Sequence, residues 1–92
     1  MTGLEETFVL SGLTVSPNPV RGALQIQFEN TQQKPGQISI FNLQGQQVFM
    51  STFPSEGSIK RDVQTQAWGT GLYLVKVSID GKFLIKKVLK IE

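Results

Sequence analysis

The sequence contains neither cysteine nor histidine. Without cysteine the protein has no disulfide bond, thiolate metal site or thiol nucleophile. Without histidine it lacks the side chain that most often serves as general base, proton shuttle or transition-metal ligand. A serine or threonine nucleophile would then need a lysine or a terminal amine as its base, and no such pair is evident. We therefore expect no enzymatic activity and no cofactor.

Long apolar runs are missing as well. No segment approaches the roughly 20 apolar residues that a membrane-spanning helix requires, so we expect no membrane span. The N-terminus does not resemble a secretory signal, because Glu5 and Glu6 stand where a basic segment and an apolar core belong. The seven acidic residues are scattered along the chain. They give no sign of the converging carboxylate pair that glycoside hydrolysis needs.

What remains is typical of one small, strand-rich domain. The chain has 92 residues, of which 39% are hydrophobic, a fraction too high for a disordered segment. Short segments of alternating apolar and polar residues are separated by Gly, Pro and Asn turns, which indicates half-buried strands. The predicted strands are residues 13–15, 24–28, 37–42, 47–53, 58–63, 72–79 and 83–92. No segment predicts a helix of useful length.

Seven short strands at this spacing predict an all-β fold, an immunoglobulin-like antiparallel β-sandwich of about seven strands. An open barrel is the second choice. Residues 1–12 are expected to be an N-terminal linker, and residues 13–92 the domain. Within the linker, residues 8–10 are compatible with a short strand, which Ser11 and Gly12 would end.

Two registers are possible for the last hairpin. A two-residue turn at residues 80–81 pairs Val77 with Leu84 and sets lysines opposite the apolar face of the preceding strand. A three-residue loop, residues 79–81, pairs Val77 with Phe83 and matches apolar face to apolar face. Because a slip of one residue inverts every side chain, we predict the three-residue loop.

Three features have a possible binding role and a simpler structural one. Trp68 and Tyr73 would form a sugar-stacking platform if exposed, but core or corner packing is the favoured interpretation. Residues 69–71 (Gly-Thr-Gly) lack both the Lys-Ser/Thr and the helix of a phosphate-binding loop, so they predict a tight turn. The only basic cluster serves either recognition or protection of an edge strand, and nucleic acid is not an expected partner. It consists of Lys82, Lys86, Lys87 and Lys90.

Four motifs follow one another in an order that resembles a known family. They are Pro-Asn-Pro at residues 17–19, a strand ending in a turn with Gly45, Gly-Leu-Tyr at residues 71–73, and a lysine-bearing strand that runs to Glu92. In order and spacing they resemble the type A C-terminal sorting domain of the type IX secretion system of Bacteroidota. The resemblance covers residues 13–92. Ser16 departs from it, since an aromatic residue is common at that position.

The resemblance implies a non-enzymatic secretion signal. Such a domain directs the cargo protein preceding it in the same chain from the periplasm through the outer-membrane type IX translocon. A sortase-like cysteine protease then typically removes the domain and attaches the cargo to the cell surface. The expected location is therefore the periplasm in transit, then the outer-membrane surface or the medium, with cleavage in or before residues 1–12. The alternative is an immunoglobulin-like accessory module that binds carbohydrate or protein.

The resemblance also implies roles for individual residues. Recognition by the translocon would use the end of the chain, where an edge strand with exposed backbone groups is open to strand addition and lysines supply charge complementarity. The residues of this segment are Lys86, Lys87, Val88, Leu89, Lys90, Ile91 and Glu92. The motif residues expected to shape turns and core are Pro17, Asn18, Pro19, Gly45, Gly71 and Tyr73.

Overall fold

The computed structural model describes residues 10–92, and this part of the chain forms seven β-strands and no helix. Each alternating segment of the sequence becomes a strand, because alternation lets one face pack inward while the other meets water. The strands are β1 (Leu10–Ser16), β2 (Ala23–Asn30), β3 (Gly36–Asn42), β4 (Gln47–Phe53), β5 (Ser58–Gln64), β6 (Gly71–Ile79) and β7 (Lys82–Lys90).

The strands form two antiparallel sheets. One has three strands in the order β1-β2-β5, and the other has four in the order β4-β3-β6-β7. This connectivity is that of an immunoglobulin-like sandwich in which the fourth strand joins the second sheet. The predicted fold class is therefore confirmed. At one corner Arg61 of β5 donates to the carbonyl oxygen of Thr52 of β4 at 3.3 Å and so links the two sheets.

The core lies between the sheets and consists of the inward residues of each strand. On β2, Leu24, Ile26 and Phe28 are at most 1% exposed, and the polar residues between them face outward. Phe28 meets Phe53 of β4 edge to face, with ring centroids 5.3 Å apart. The other buried apolar residues are Val20, Ile38, Ile40, Ile59, Val63, Tyr73, Val75, Val77, Ile79 and Val88.

The first strand is longer than predicted. Ser11 and Gly12 do not end a strand but lie inside β1, where the pairing with β2 shifts register between Ser11 and Thr14. Gly12 has a φ of 66°, so it accommodates this bulge without the steric penalty of a side chain. Residues 8–9 of the possible short strand lie outside the described residues. The division between linker and domain after Gly12 stays a prediction.

The register predicted for the last hairpin is wrong. The turn has two residues, Asp80 and Gly81, with φ values of 53° and 80°, and the two positive values identify a type I′ turn. Val77 consequently pairs with Leu84, not with Phe83. Local turn chemistry decides the register, because Asp-Gly adopts both positive values at little cost. The apolar faces of β6 and β7, on whose matching the prediction was based, therefore do not oppose each other.

An ion pair holds this turn against the loop between β2 and β3. The ammonium group of Lys34 lies 2.9 Å from a carboxylate oxygen of Asp80, and both side chains are about half exposed. The hydrogen bond from Lys34, followed by its positive charge, lowers the pKa of Asp80 below its usual value of 3.8. The contribution of this pair to stability is therefore present above that pH and is lost as the pH falls through the lowered pKa.

Candidate functional site

The segment assigned to recognition lies on β7 and just beyond it. β7 is an edge strand of the four-stranded sheet and pairs along its whole length with β6, from Gly71 opposite Lys90 to Ile79 opposite Lys82. Because it is antiparallel to β6, its successive side chains alternate between the core and the outer face. The predicted recognition residues are therefore not one surface.

Two residues of the predicted set are buried on the core side of β7. Val88 is fully buried and pairs with Tyr73, and Lys90 is only 6% exposed. Lys86 and Lys87 are exposed, as is Leu89 at 40%. Beyond the strand, Ile91 is half-buried and Glu92 exposed. Only part of the segment is therefore accessible to a partner.

Lys90 has a role that its sequence neighbours do not predict. Its ammonium group donates hydrogen bonds to the carbonyl oxygens of Arg21, at 2.9 Å, and Ile91, at 3.1 Å. These bonds satisfy a charged group that would be costly to bury unpaired. Lys90 therefore ties the chain after β7 to the segment between β1 and β2, and its charge is not presented to solvent like those of Lys86 and Lys87.

Pro-Asn-Pro covers the free edge of β7. The backbone N–H of Leu89 donates to Asn18 Oδ1 at 3.0 Å, and Asn18 Nδ2 donates to the carbonyl oxygen of Lys87 at 3.2 Å. Both the Ser16–Pro17 and the Asn18–Pro19 peptide bonds are cis. Prolines have no N–H to donate, so the side-chain amide of Asn18 supplies the donor and the acceptor that a neighbouring strand would offer.

Backbone pairing continues from Val20. Its N–H donates to the carbonyl oxygen of Leu89 at 2.8 Å, and its own carbonyl accepts from the N–H of Ile91 at 2.9 Å, as a short parallel bridge. Arg21 also donates to the carbonyl oxygen of Glu92. We call residues 17–21 the cover segment. It occupies the outward backbone groups of the second half of β7, so the expected exposed backbone is not found there.

Sequence reasoning predicted Asn18 to form a turn and missed its pairing with β7. The sequence did contain a sign of this pairing. The prolines on both sides of Asn18 have no backbone N–H to donate, so the side-chain amide of Asn18 is the group left to pair. The residues of the cover segment that reach β7 are 69 to 71 positions away from it in sequence. Only the fold brings these two parts of the chain together.

Replacing Asn18 tests this pairing. Asn18→Ala removes two hydrogen bonds to β7 and should lower the free energy of unfolding by about 1–3 kcal/mol, measured by urea denaturation. Asn18→Asp is the matched variant, because it keeps the acceptor for Leu89 N–H but places a carboxylate against the carbonyl of Lys87. It should cost at least as much as alanine. Equal stability of all three proteins would contradict a pairing role for Asn18.

The other motif residues shape turns and the corner before β6. Gly45 and Gly71 have φ values of 85° and 142°, which favour glycine. The hydroxyl of Tyr73 donates to the carbonyl oxygen of Gly69 at 2.7 Å, the arrangement of a tyrosine corner. A residue not singled out from the sequence, Asn42, organises the turn at Gly45, since its Oδ1 accepts from the N–H groups of residues 44 and 46.

The two aromatic residues considered for a sugar platform stack on each other. Trp68 stacks on Tyr73 with centroids 4.6 Å apart, and Tyr73 is only 7% exposed. Tyr73 and one face of the Trp68 ring are therefore used within the protein, as the core or corner interpretation predicted. Beside them lies an open depression of about 130 Å³ lined by residues 42–44 and 70–73, small compared with the ~300 Å³ and more of ligand pockets.

Charge and metal-site geometry give no second candidate in the described part of the chain. The four lysines of the basic cluster are divided between the faces of β7 and so do not make one basic surface. No group of acidic side chains in residues 10–92 is placed to hold a metal ion. Within the same residues, no helix has the length and hydropathy to cross a membrane.

Comparison with known families gives a match over most of the chain. A family model described as "Secretion system C-terminal sorting domain" matches residues 14–91. The match includes the whole cover segment, β2 to β7 and the last three residues of β1. No curated protein matches the sequence. The resemblance drawn from the motifs is confirmed.

Proposed function

Because the chain belongs to the family of secretion system C-terminal sorting domains, we propose that β7 is the strand by which the type IX translocon recognises it. The family supports a C-terminal signal for type IX secretion, and therefore export of a cargo protein across the outer membrane to the surface or the medium. Secretion-signal domains of this kind are not enzymes in general.

The observation on which the proposal depends is the pair of lysines at the middle of β7. Lys86 and Lys87 are exposed, and within residues 10–92 neither ammonium group has a carboxylate partner. Adjacent residues of a strand point to opposite sides, so the two charges flank an edge that β6 and the buried Val88 hold rigidly in place. A rigid display of unpaired charge favours selection by an acidic partner surface.

The cover segment supports the same interpretation. Asn18 and Val20 hold the backbone of Leu89, and the Ile91 N–H donates to Val20. The residues after β7 are thereby fixed against the sandwich. The translocon would then recognise a folded surface, in which Leu89, Ile91 and Glu92 have defined positions, and not an extended tail.

The later steps follow from family resemblance. The cargo reaches the periplasm, and the translocon carries it outward with the folded domain attached. A sortase-like cysteine protease then cuts in or before residues 1–12 and attaches the cargo to the surface. Cleavage in this segment would separate the sandwich from its cargo without breaking any strand after β1.

Export of a fusion protein tests the proposal. Residues 1–92 are fused to the C-terminus of a periplasm-targeted fluorescent protein in a Bacteroidota host, next to the same protein without the domain. Fluorescence at the surface or in the medium is expected only with the domain, and it should vanish in a host that lacks the translocon. Mass spectrometry of the exported protein should find the domain removed.

Truncation is a poor control here, since loss of residues 86–92 removes the buried Val88 and the partners of Asn18. A fusion that stays in the periplasm as an intact, protease-resistant domain would overturn the proposal. Export without removal of the domain would contradict only the sortase step.

A further inference from the structure

The first half of β7 has an edge with no partner in the described part of the chain. Alternate residues along β7 and just beyond it direct their backbone N–H and C=O groups away from β6. Among these, groups of Lys87, Leu89 and Ile91 bind the cover segment. By the same alternation, the N–H and C=O groups of Phe83 and Ile85 point to that side too. No strand within residues 10–92 pairs there. We call residues 83–87 the open edge.

Two side chains of the open edge are both apolar and exposed. Phe83 is 51% exposed and Ile85 50%, and both point to the outer face of the sheet. Leu89, 40% exposed, lies on the same face of β7, whereas Met50 of β4 lies at the opposite edge of the sheet, beyond Lys76 and Ser39. A single exposed apolar residue needs no explanation, but several on one sheet face beside an unpaired edge are typical of an interaction surface.

The two halves of the edge contrast in their protection. Natural proteins usually shield an edge strand by covering it or by placing lysine and proline along it. The second half of β7 has such a cover in the segment containing Pro17 and Pro19. The first half has no such cover from residues 10–92, and Phe83 and Ile85 increase its capacity to bind. Protection alone therefore does not account for this half.

The charge around the open edge indicates the chemistry of its occupant. Lys87 and Lys76 lie on the outer face, where Lys76 sits 4.6 Å from the centroid of the Phe83 ring, and Lys86 lies on the other side of the strand. No acidic residue of β3, β4, β6 or β7 is present to balance them. A second copy of β7 would bring more lysines to the same place, so self-pairing is disfavoured.

We propose that the open edge accepts an extended segment of a partner protein, with alternating apolar and acidic side chains, as an added strand of the four-stranded sheet. Its backbone would exchange hydrogen bonds with Phe83 and Ile85 and accept one from the N–H of Lys87. Its apolar side chains would cover the exposed Phe83 and Ile85 on the outer face, and its carboxylates, on the opposite face, would lie near Lys86. The proposal rests on β7 being a recognition strand, but its test requires no export.

Amide exchange in the whole 92-residue protein tests the proposal. The probe is a short, blocked peptide of alternating glutamate and valine, added to isotopically labelled protein. Exchange of the N–H groups of Phe83, Ile85 and Lys87, measured by nuclear magnetic resonance, should slow by at least about tenfold at saturation. A peptide with lysine in place of glutamate should bind at least about tenfold more weakly. A peptide N-methylated on the bonding side should not protect these amides.

Ile85→Pro removes one N–H of the open edge and none that pairs with β6, and proline is tolerated where that group faces solvent. It should weaken binding by at least about tenfold, whereas Ile85→Thr keeps the N–H and should lose less. If Ile85→Pro fails to fold, the proposal is tested by the amide protection that the N-methylated peptide gives on the unchanged protein.

Three results would overturn the proposal: equal binding of the N-methylated peptide, protection confined to other strands, or no protection at millimolar peptide. Protection of the same amides on concentration of the protein alone would replace it by self-pairing. Failure of export with peptide binding intact would count against the proposed function and leave strand addition standing.

Discussion

Val88→Asp is expected to unfold the domain, while Leu89→Asp leaves it folded. Val88 is fully buried opposite Tyr73, and a carboxylate there would lose its hydration without gaining a partner. We expect a loss of at least about 4 kcal/mol, a large part of the stability of a domain this small. Leu89 is 40% exposed on the outer face, so the same change should cost about 1 kcal/mol or less.

The comparison also tests the hairpin register. The three-residue loop would turn Leu89 toward the core and Val88 toward water, and so would reverse the order of the two variants. Urea denaturation followed by circular dichroism measures both. In the export assay, Val88→Asp should give periplasmic degradation and no exported fluorescence. A stable Val88→Asp protein beside an unfolded Leu89→Asp protein would contradict the two-residue turn.

Reversing the charge of both exposed lysines, Lys86→Glu with Lys87→Glu, is expected to reduce exported fluorescence by at least about tenfold. That factor corresponds to about 1.4 kcal/mol of binding free energy, and placing like charges against an acidic partner surface costs at least that much. Stability should change little, because neither ammonium group has an ion-pair partner within residues 10–92. The double variant should therefore accumulate in the periplasm as a folded protein.

Lys60→Glu is the matched control. Lys60 is exposed on β5, in the other sheet. Its replacement makes the net charge of the protein more negative, as the double variant does, without altering β7. It should be exported like the unchanged domain. Full export of the double variant would remove the two lysines from the proposed recognition surface. A comparable loss with Lys60→Glu would indicate a general dependence on net charge.

The fold class follows from local patterns that the structure preserves. Alternation in β2 and β3 places Leu24, Ile26, Ile38 and Ile40 inward, as expected of half-buried strands. The alternation of apolar and polar residues does not determine the register of strand pairing, however. In the last hairpin it favoured pairing of apolar faces, whereas the Asp-Gly turn imposes pairing of Val77 with Leu84. The turn has its own conformational preference, which the apolar–polar alternation of the strands does not reflect.

The candidate site was predicted less completely than the fold. The sequence located it at residues 86–92 but treated them as one surface. Strand geometry divides them, since Val88 and Lys90 are buried and Lys86 and Lys87 exposed. Lys90 is the clearest example of what the sequence does not predict. A lysine in a basic segment is expected to expose its charge, yet the ammonium group of Lys90 binds the carbonyl of Arg21.

The sequence by itself determined an all-β domain, the inward faces of β2 and β3, and a succession of motifs sufficient to indicate the sorting family. These properties depend on neighbouring residues, through alternation, turn formers and motif order. Only the tertiary structure decided that Asn18 completes the edge of β7 and that no strand within residues 10–92 pairs with that edge at Phe83 and Ile85. The first depends on hydrogen bonds between segments about 70 residues apart, which form when the packing of the two sheets fixes their positions. The second depends on where the cover segment ends along β7.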